Sequence, residues 1–144
     1  MKNKIVVILI PLLFVFFYQC KSNYSINSKD YTVIKYEEKM NFINYNDVRP
    51  TGLTHSEILK IEEIILPKIS NNLKKHKYYR QYVPFTDKNG DKIIWICIFC
   101  KDDLYSKIYE TEIIEVADGG ECVLTLEVNL TKKVCYSYYE NSRA

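Results

Sequence analysis

The sequence is poor in the residues on which most catalytic and ligand-binding motifs depend. It has only two histidines and four glycines. His55 and His76 lie at either end of a predicted helical region and do not easily converge on one ligand. No Ser-His-Asp order, His-Glu-x-x-His motif or glycine-rich phosphate loop occurs. We therefore expect no cofactor, no metal site and no enzymatic activity.

The chain also lacks a surplus of charge of either sign. It carries 20 Lys plus Arg against 18 Asp plus Glu. Lys2 and Lys4 belong to the N-terminal segment, so the two signs balance over the rest of the chain. Because nucleic-acid binding depends on a basic surplus or stripe, we predict no nucleic-acid partner.

No apolar run is long enough to cross a bilayer, which takes about 20 residues in a helix. The longest run covers residues 5–18, follows Lys2 and Lys4, and ends at the polar residue Gln19. A basic start followed by an apolar middle is the layout of a secretory signal peptide. We therefore predict an export signal over residues 1–19.

Cys20 stands where a bacterial lipoprotein carries its acylated cysteine. The usual residues before this cysteine are a Leu-like residue, a small residue, and then Gly, Ala or Ser. Phe17, Tyr18 and Gln19 depart from this pattern, so an uncleaved anchor and ordinary cleavage remain the alternatives to lipidation. Residues 20–30 are rich in Ser, Asn and Lys and predict a flexible tether. Acyl chains on Cys20 would hold the protein on a membrane facing the periplasm or the cell surface.

One segment predicts an amphipathic helix. Thr54, three residues before Glu57, begins it with a capping box, and an apolar stripe follows at helical spacing. The stripe consists of Ile58, Ile61, Ile65, Ile69 and Leu73. Glu62 falls on this stripe, where a carboxylate must be hydrogen-bonded, paired or at a rim. The second interpretation of Glu62 is a functional acid beside a cleft.

The remaining pattern predicts strands. An edge strand at residues 30–36 precedes the helix, and beyond residue 77 the period changes from 3.6 to 2. The later strands are predicted at residues 78–86, 92–100, 109–116, 121–130 and 134–139. We therefore predict a single α+β domain over residues 31–144. One helix packs on one face of a four- to five-stranded antiparallel meander.

Four sequence patterns carry a resemblance to known proteins. They are P-T-x-L-T-x-x-E-I from residue 50, Y-x-R-Q-Y from residue 78, W-I-C-I-F-C from residue 95, and D-G-G-E-C with L-x-V-N-L-T-K-K over residues 118–133. Residues 48–140 resemble small envelope lipoproteins of Bacteroidota to which no activity is assigned. The resemblance implies an envelope address and a helix-plus-sheet layout.

Four cysteines lie in the predicted domain: Cys97, Cys100, Cys122 and Cys135. Pairing through a strand at 109–116 would place Cys122 roughly 13–23 Å from Cys97 and Cys100. A disulfide tolerates about 7 Å between Cα atoms. We therefore expect buried free thiols, unless the strand order departs from a simple meander. A Cα separation below about 7 Å between Cys100 and Cys122 would contradict the meander register.

Thirteen tyrosines supply the remaining candidate site. A solvent-facing strip of Tyr79, Tyr82, Tyr136 and Tyr138 would stack on sugar rings or on a partner's side chains. Tyrosine is also a favoured strand residue without any binding role.

Together these features predict a non-catalytic exported lipoprotein that binds a partner protein or glycan at the cell envelope. A cystatin-like inhibitor module is the alternative, on fold analogy, and a thiol-redox or hydrolytic enzyme ranks below both. A concave aromatic patch on the sheet would favour binding. Glu62, Cys97 and Cys122 clustered in a cleft would favour chemistry.

Overall fold

The computed structural model describes residues 26–101, 107–114 and 118–141. The predicted signal peptide, Cys20 and half of the predicted tether lie outside these ranges. Within them, one α-helix and six strands form an α+β arrangement. The elements are β1 (Tyr31–Val33), β2 (Arg49–Pro50), α1 (His55–Leu73), β3 (Tyr78–Thr86), β4 (Lys92–Cys100), β5 (Val123–Asn129) and β6 (Val134–Glu140). No helix of this described part has both the length and the apolar character needed to cross a bilayer.

Helix α1 begins where the sequence predicts. The hydroxyl of Thr54 accepts from the backbone N–H of Glu57 at 3.3 Å, and the carboxylate of Glu57 accepts from the N–H of Thr54 at 2.8 Å. The capping box is therefore complete. Four members of the predicted stripe are buried, with exposures of 2% or less at Ile58, Ile61, Ile65 and Ile69, and the fifth, Leu73, is partly buried.

The six strands found among the described residues form one mixed sheet. The strand order is β1-β3-β4-β5-β6, and β2 pairs with the C-terminal end of β3, at residues 85–86. β1 is parallel to β3, whereas the other pairs are antiparallel. The parallel pair arises because the chain crosses over through α1 between the two strands. The antiparallel meander is thus confirmed for β3 to β6, and β1 departs from it.

Both faces of the sheet are covered, whereas the sequence predicts cover on one. Helix α1 packs on the face that we call the helix face, against alternate residues of β3, β4 and β5. The irregular residues 34–48 and 107–114 pack on the opposite side, which we call the second face. Their apolar contributions are Ile34, Tyr36, Met40, Phe42, Ile43, Tyr45, Val48, Tyr109, Ile113 and Ile114. Cover on both sides explains why β3 and β4 are almost entirely buried.

The strand predicted at residues 109–116 is wrong over the part that the structure describes. Lys107–Glu110 forms a short 3-10 helix, and residues 111–114 are irregular. The buried side chain of Gln81 forms hydrogen bonds with the backbone of this segment, as a neighbouring strand would do. Its amide nitrogen donates to the carbonyls of Tyr109 and Glu112 at 2.7 and 2.6 Å, and its oxygen accepts from the N–H of Ile114 at 3.0 Å. β4 consequently pairs directly with β5.

This direct pairing changes the state of two cysteines. Because Phe99 lies opposite Val123, Cys100 and Cys122 meet and form a disulfide with their Cα atoms 4.9 Å apart. The expectation of free thiols is wrong for this pair, and so is the register that separated it. Cys97 is a buried free thiol, as expected, whereas Cys135 is free but only half-buried.

Candidate functional site

Glu62 lies in a buried ion pair on the helix face, with 2% exposure. Nε of Arg80 donates to its Oε1 at 3.0 Å, and the hydroxyl of Tyr82 donates to the same oxygen at 2.6 Å. Tyr31 of β1 covers the group, with its ring centroid 5.8 Å from that of Tyr82. The expectation of a paired, hydrogen-bonded carboxylate is confirmed. Since solvent does not reach Glu62, the arrangement gives it a structural role rather than that of an acid beside a cleft.

The other oxygen of Glu62, Oε2, is buried and has no hydrogen-bond partner among the described residues. A buried ion pair with incomplete hydrogen bonding adds little net stability, because desolvation offsets the attraction. Removal of one partner is costly all the same, because the buried pair then loses its charge-assisted hydrogen bond.

Tyr79 and Tyr82 are buried, with exposures of 5% and 0%. The solvent-facing strip predicted for these two residues is therefore wrong. β3 is an interior strand covered on both faces, so both sets of its alternating side chains lie inside. Tyr79 packs against Tyr109 at a centroid distance of 4.6 Å, and burial raises the pKa of Tyr79 to about 12.

β6 carries two exposed tyrosines, of which only Tyr136 belongs to the predicted strip. Tyr136 and Tyr139 are 51% and 59% exposed, whereas Tyr138 is half-buried against the helix face. Tyr139 lies opposite Thr125, on the second face. The cover provided by residues 34–48 extends to Glu127, to which the hydroxyl of Tyr45 donates. From Glu127 towards β6, the second face is exposed at Ser137 and Tyr139.

Tyr136 occupies a β-bulge. Ser137 pairs with Glu127 while Cys135 pairs with Val128, which leaves Tyr136 as the extra residue. Nδ2 of Asn129 donates to the Tyr136 hydroxyl at 3.0 Å and holds the ring on the second face. Bulges protect an edge strand from further pairing, so β6 offers its side chains rather than its backbone edge.

We call the surface formed by Thr125, Glu127, Tyr136, Ser137 and Tyr139 the tyrosine patch. It combines two exposed aromatic rings with two hydroxyls and a carboxylate. The sequence indicates Tyr136 for this surface but not Tyr139, which is the more exposed of the two. Only the register of β6 shows which tyrosines face outward.

The three residues whose clustering in a cleft would favour catalysis do not lie together. Glu62 belongs to the helix face, Cys97 to the second face, and Cys122 is held in the disulfide. The thiol of Cys97 contacts the carbonyl of Ile114 at 3.8 Å. Burial raises the pKa of Cys97 to about 12, which disfavours the thiolate needed for nucleophilic attack.

No protein-family model, curated protein or solved structure matches this chain. The resemblance to envelope lipoproteins of Bacteroidota therefore stays a prediction. Lipid attachment at Cys20 also stays a prediction, because that residue lies outside the described ranges. The function has to be inferred from the geometry of the chain itself.

Proposed function

We propose that the protein is an exported, lipid-anchored and non-catalytic module that binds a glycan of the cell envelope through the tyrosine patch. The observation that carries the proposal is the pair of half-exposed rings, Tyr136 and Tyr139, on the open part of the second face. An exposed aromatic pair next to polar groups is typical of a surface that stacks on a ligand and fixes its orientation by hydrogen bonds.

The composition of the patch favours a glycan over a partner protein. A sugar ring presents an apolar C–H face and a rim of hydroxyls, which match the tyrosine rings and the polar groups of Thr125, Ser137 and Glu127. A partner that adds a strand needs a regular free edge, and the bulge at Tyr136 interrupts β6. The cystatin-like alternative draws no specific support from this surface.

The disulfide supports export. Disulfides form and persist in oxidising compartments outside the cytoplasm, and Cys100 and Cys122 are paired. Because these two cysteines pair with each other, neither of them requires Cys20 as a disulfide partner. The proposed anchor places the binding domain at the end of the tether of residues 20–30.

Binding can be tested by titrating the full chain with a panel of soluble envelope oligosaccharides and recording NMR shifts or heat. We expect Tyr139→Ala to weaken binding by about two- to tenfold, the equivalent of about 0.5–1.5 kcal/mol for one stacked ring. Tyr139→Phe should retain binding, since the ring remains. Ile108→Ala is the matched control, because Ile108 is 47% exposed but lies outside the patch. Oligosaccharide binding that survives the double replacement of Tyr136 and Tyr139 by alanine would refute the assignment of the patch. Binding of a protein that depends on the same two residues would favour a protein partner over a glycan.

The anchor is tested by intact-mass measurement with palmitate labelling of the wild type and of Cys20→Ala. We expect an added acyl mass in the wild type, release of residues 1–19, and loss of label in the variant. A wild-type chain that is exported without label would contradict the anchor and leave the binding proposal to its own test.

A further inference from the structure

A second group of side chains surrounds the disulfide at the end of the sheet. Cys100 ends β4, Cys122 ends a 3-10 helix before β5, and His76 lies in the turn after α1. The two sulfurs and a ring nitrogen of His76 all lie within 4.8 Å of one another. Nε2 of His76 is also 3.4 Å from Oε1 of Glu121. We call Cys100, Cys122, His76 and Glu121 the disulfide corner.

The donor atoms of the disulfide corner match the preferences of zinc. Zn²⁺ takes cysteine sulfur at about 2.3 Å, histidine nitrogen at about 2.0–2.1 Å and carboxylate oxygen at about 2.0–2.2 Å, in tetrahedral geometry. These bond lengths place neighbouring ligand atoms about 3.3–3.8 Å apart. The 3.4 Å separation between Nε2 of His76 and Oε1 of Glu121 falls in this range. The ring nitrogen and the two sulfurs lie within 4.8 Å of one another, so these ligands have to draw together around the ion once the bond between the sulfurs is reduced.

Neighbouring residues hold the corner in place. Nζ of Lys75 contacts Oε2 of Glu121 at 2.5 Å, which orients Oε1 towards His76. The hydroxyl of Tyr78 donates to the backbone carbonyl of Glu121 at 2.6 Å. The ring of Tyr78 packs edge-on against His76 with a centroid distance of 5.9 Å. Such outer contacts fix the orientation of ligands in metal sites.

We propose that reduction of the Cys100–Cys122 disulfide converts the disulfide corner into a binding site for a zinc-class cation. A dithiol reductant supplies two electrons and two protons, and it is itself oxidised to its disulfide while Cys100 and Cys122 become thiols. Binding of Zn²⁺ displaces the two thiol protons, and His76 and Glu121 complete the four ligands.

The oxidation state and the metal are then linked. The oxidised corner holds no thiolates and does not take the ion, so oxidation releases it. Conversely, a bound ion withdraws both thiolates from oxidation, and the coupling is reciprocal. The side chains of His76 and Glu121 are 29% and 21% exposed, so an ion can reach these two ligands from solvent.

The test uses the full chain with Cys20→Ala, so that the N-terminal thiol does not contribute. The protein is treated with a phosphine reductant and Zn²⁺, and metal content is measured after gel filtration beside an oxidised sample. We expect one equivalent of Zn²⁺ on the reduced chain and none on the oxidised chain. Co²⁺ should give the visible absorption of a tetrahedral thiolate site.

Variants separate this site from binding by an unfolded chain. His76→Ala and Glu121→Gln should each weaken Zn²⁺ binding by at least roughly tenfold. Cys97→Ser and Cys135→Ser are the matched controls, because these free cysteines do not belong to the corner. Circular dichroism of the reduced chain should show that Zn²⁺ raises the unfolding midpoint.

Three results would overturn the proposal. They are equal zinc content in the oxidised and reduced samples, unchanged affinity in both His76→Ala and Glu121→Gln, and a loss of affinity in the Cys97 or Cys135 variants as large as in the corner variants. The test is independent of glycan binding, since the tyrosine patch contains none of these residues.

Discussion

Replacement of Gln81 by leucine should detach residues 107–114 from the second face. Gln81 is fully buried, and its amide makes three hydrogen bonds to the backbone of that segment. Leucine has a similar size but no polar atoms. It would leave the carbonyls of Tyr109 and Glu112 and the N–H of Ile114 without these partners.

The magnitude follows from the number of bonds. A typical intramolecular hydrogen bond contributes about 0.5–1.5 kcal/mol net, and a buried group left unsatisfied costs about 1–3 kcal/mol. The segment is partly exposed, so water can replace some of the lost bonds once it moves outward. We therefore expect Gln81→Leu to lower the free energy of unfolding by about 2–4 kcal/mol.

Three assays report on this change, namely urea denaturation, thiol labelling and hydrogen exchange. The thiol of Cys97 lies under the segment, with its Sγ 3.8 Å from the carbonyl of Ile114. Detachment should expose Cys97 to a maleimide reagent, and hydrogen exchange at the Ile114 amide should accelerate at least roughly tenfold.

Thr125→Val is the matched control. Gln81, Cys97 and Thr125 lie in one cross-strand row, but the amide bonds to residues 109–114 come from Gln81. The reasoning is refuted if Gln81→Leu costs no more than the control and Cys97 stays as protected as in the wild type.

Three further predictions concern stability. Reduction of the Cys100–Cys122 disulfide, with chelator present, should lower the free energy of unfolding by about 3 kcal/mol, because it releases a loop with a sequence separation of 22; an unchanged urea midpoint would contradict this. Glu62→Ala should cost about 3–5 kcal/mol, because it removes the carboxylate that accepts from Nε of Arg80 in the core. Glu62→Leu combined with Arg80→Met should recover most of the loss, and a double variant as unstable as the single one would rule out the broken ion pair as the cause. Glu57→Gln should cost about 1–2 kcal/mol at pH 7, since hydrogen bonds from a lysine and from the helix cap lower the pKa of Glu57 from 4.5 to about 2. Solvent screening keeps this cost below the full value of the pKa shift, because the side chain of Glu57 is 25% exposed. A group with a lowered pKa stabilises the fold at pH values above its unfolded pKa. The difference in the free energy of unfolding between Glu57→Gln and wild type should therefore shrink as the pH falls from 4.5 towards 2. An equal difference at pH 7 and pH 2 would exclude the carboxylate as its source.

Local patterns predicted the elements whose partners lie nearby in the chain. The capping box at Thr54 and the apolar stripe after it define α1, because both depend on spacings within a few turns. The turn at residues 87–90 is also local: Asp87 Oδ1 accepts from the N–H groups of Asn89 and Asp91, each at 2.9 Å. Gly90 adopts the positive φ of 84° that such a turn uses.

The strand predicted at residues 109–116 shows that a local pattern does not identify the hydrogen-bond partners of a segment. Its β-branched and aromatic residues fit a strand, and Ile113 and Ile114 do pack against the sheet. The backbone needs hydrogen-bond partners, however, and Gln81, about thirty residues earlier, supplies them. A polar residue inside the buried strand β3 is the one signal that could have indicated this role.

The same limit applies to the cysteines and the tyrosines. The disulfide depends on which strand lies beside β4, and the exposed tyrosines depend on which strand ends the sheet. Periodicity assigns side chains to faces without showing what covers each face. Residues 34–48 cover the second face over β3 and β4 and leave the β6 end open.

Composition and spacings of a few residues are enough to predict the export-like N-terminal pattern, the helix with its cap and apolar stripe, and the strands β3 to β6. Four other features follow from the fold as a whole: the parallel pairing of β1, the cover on the second face, the Cys100–Cys122 disulfide and the exposure of Tyr136 and Tyr139. These features depend on contacts between distant segments. Such contacts are selected by the burial of apolar surface and by the satisfaction of backbone hydrogen bonds over the whole chain.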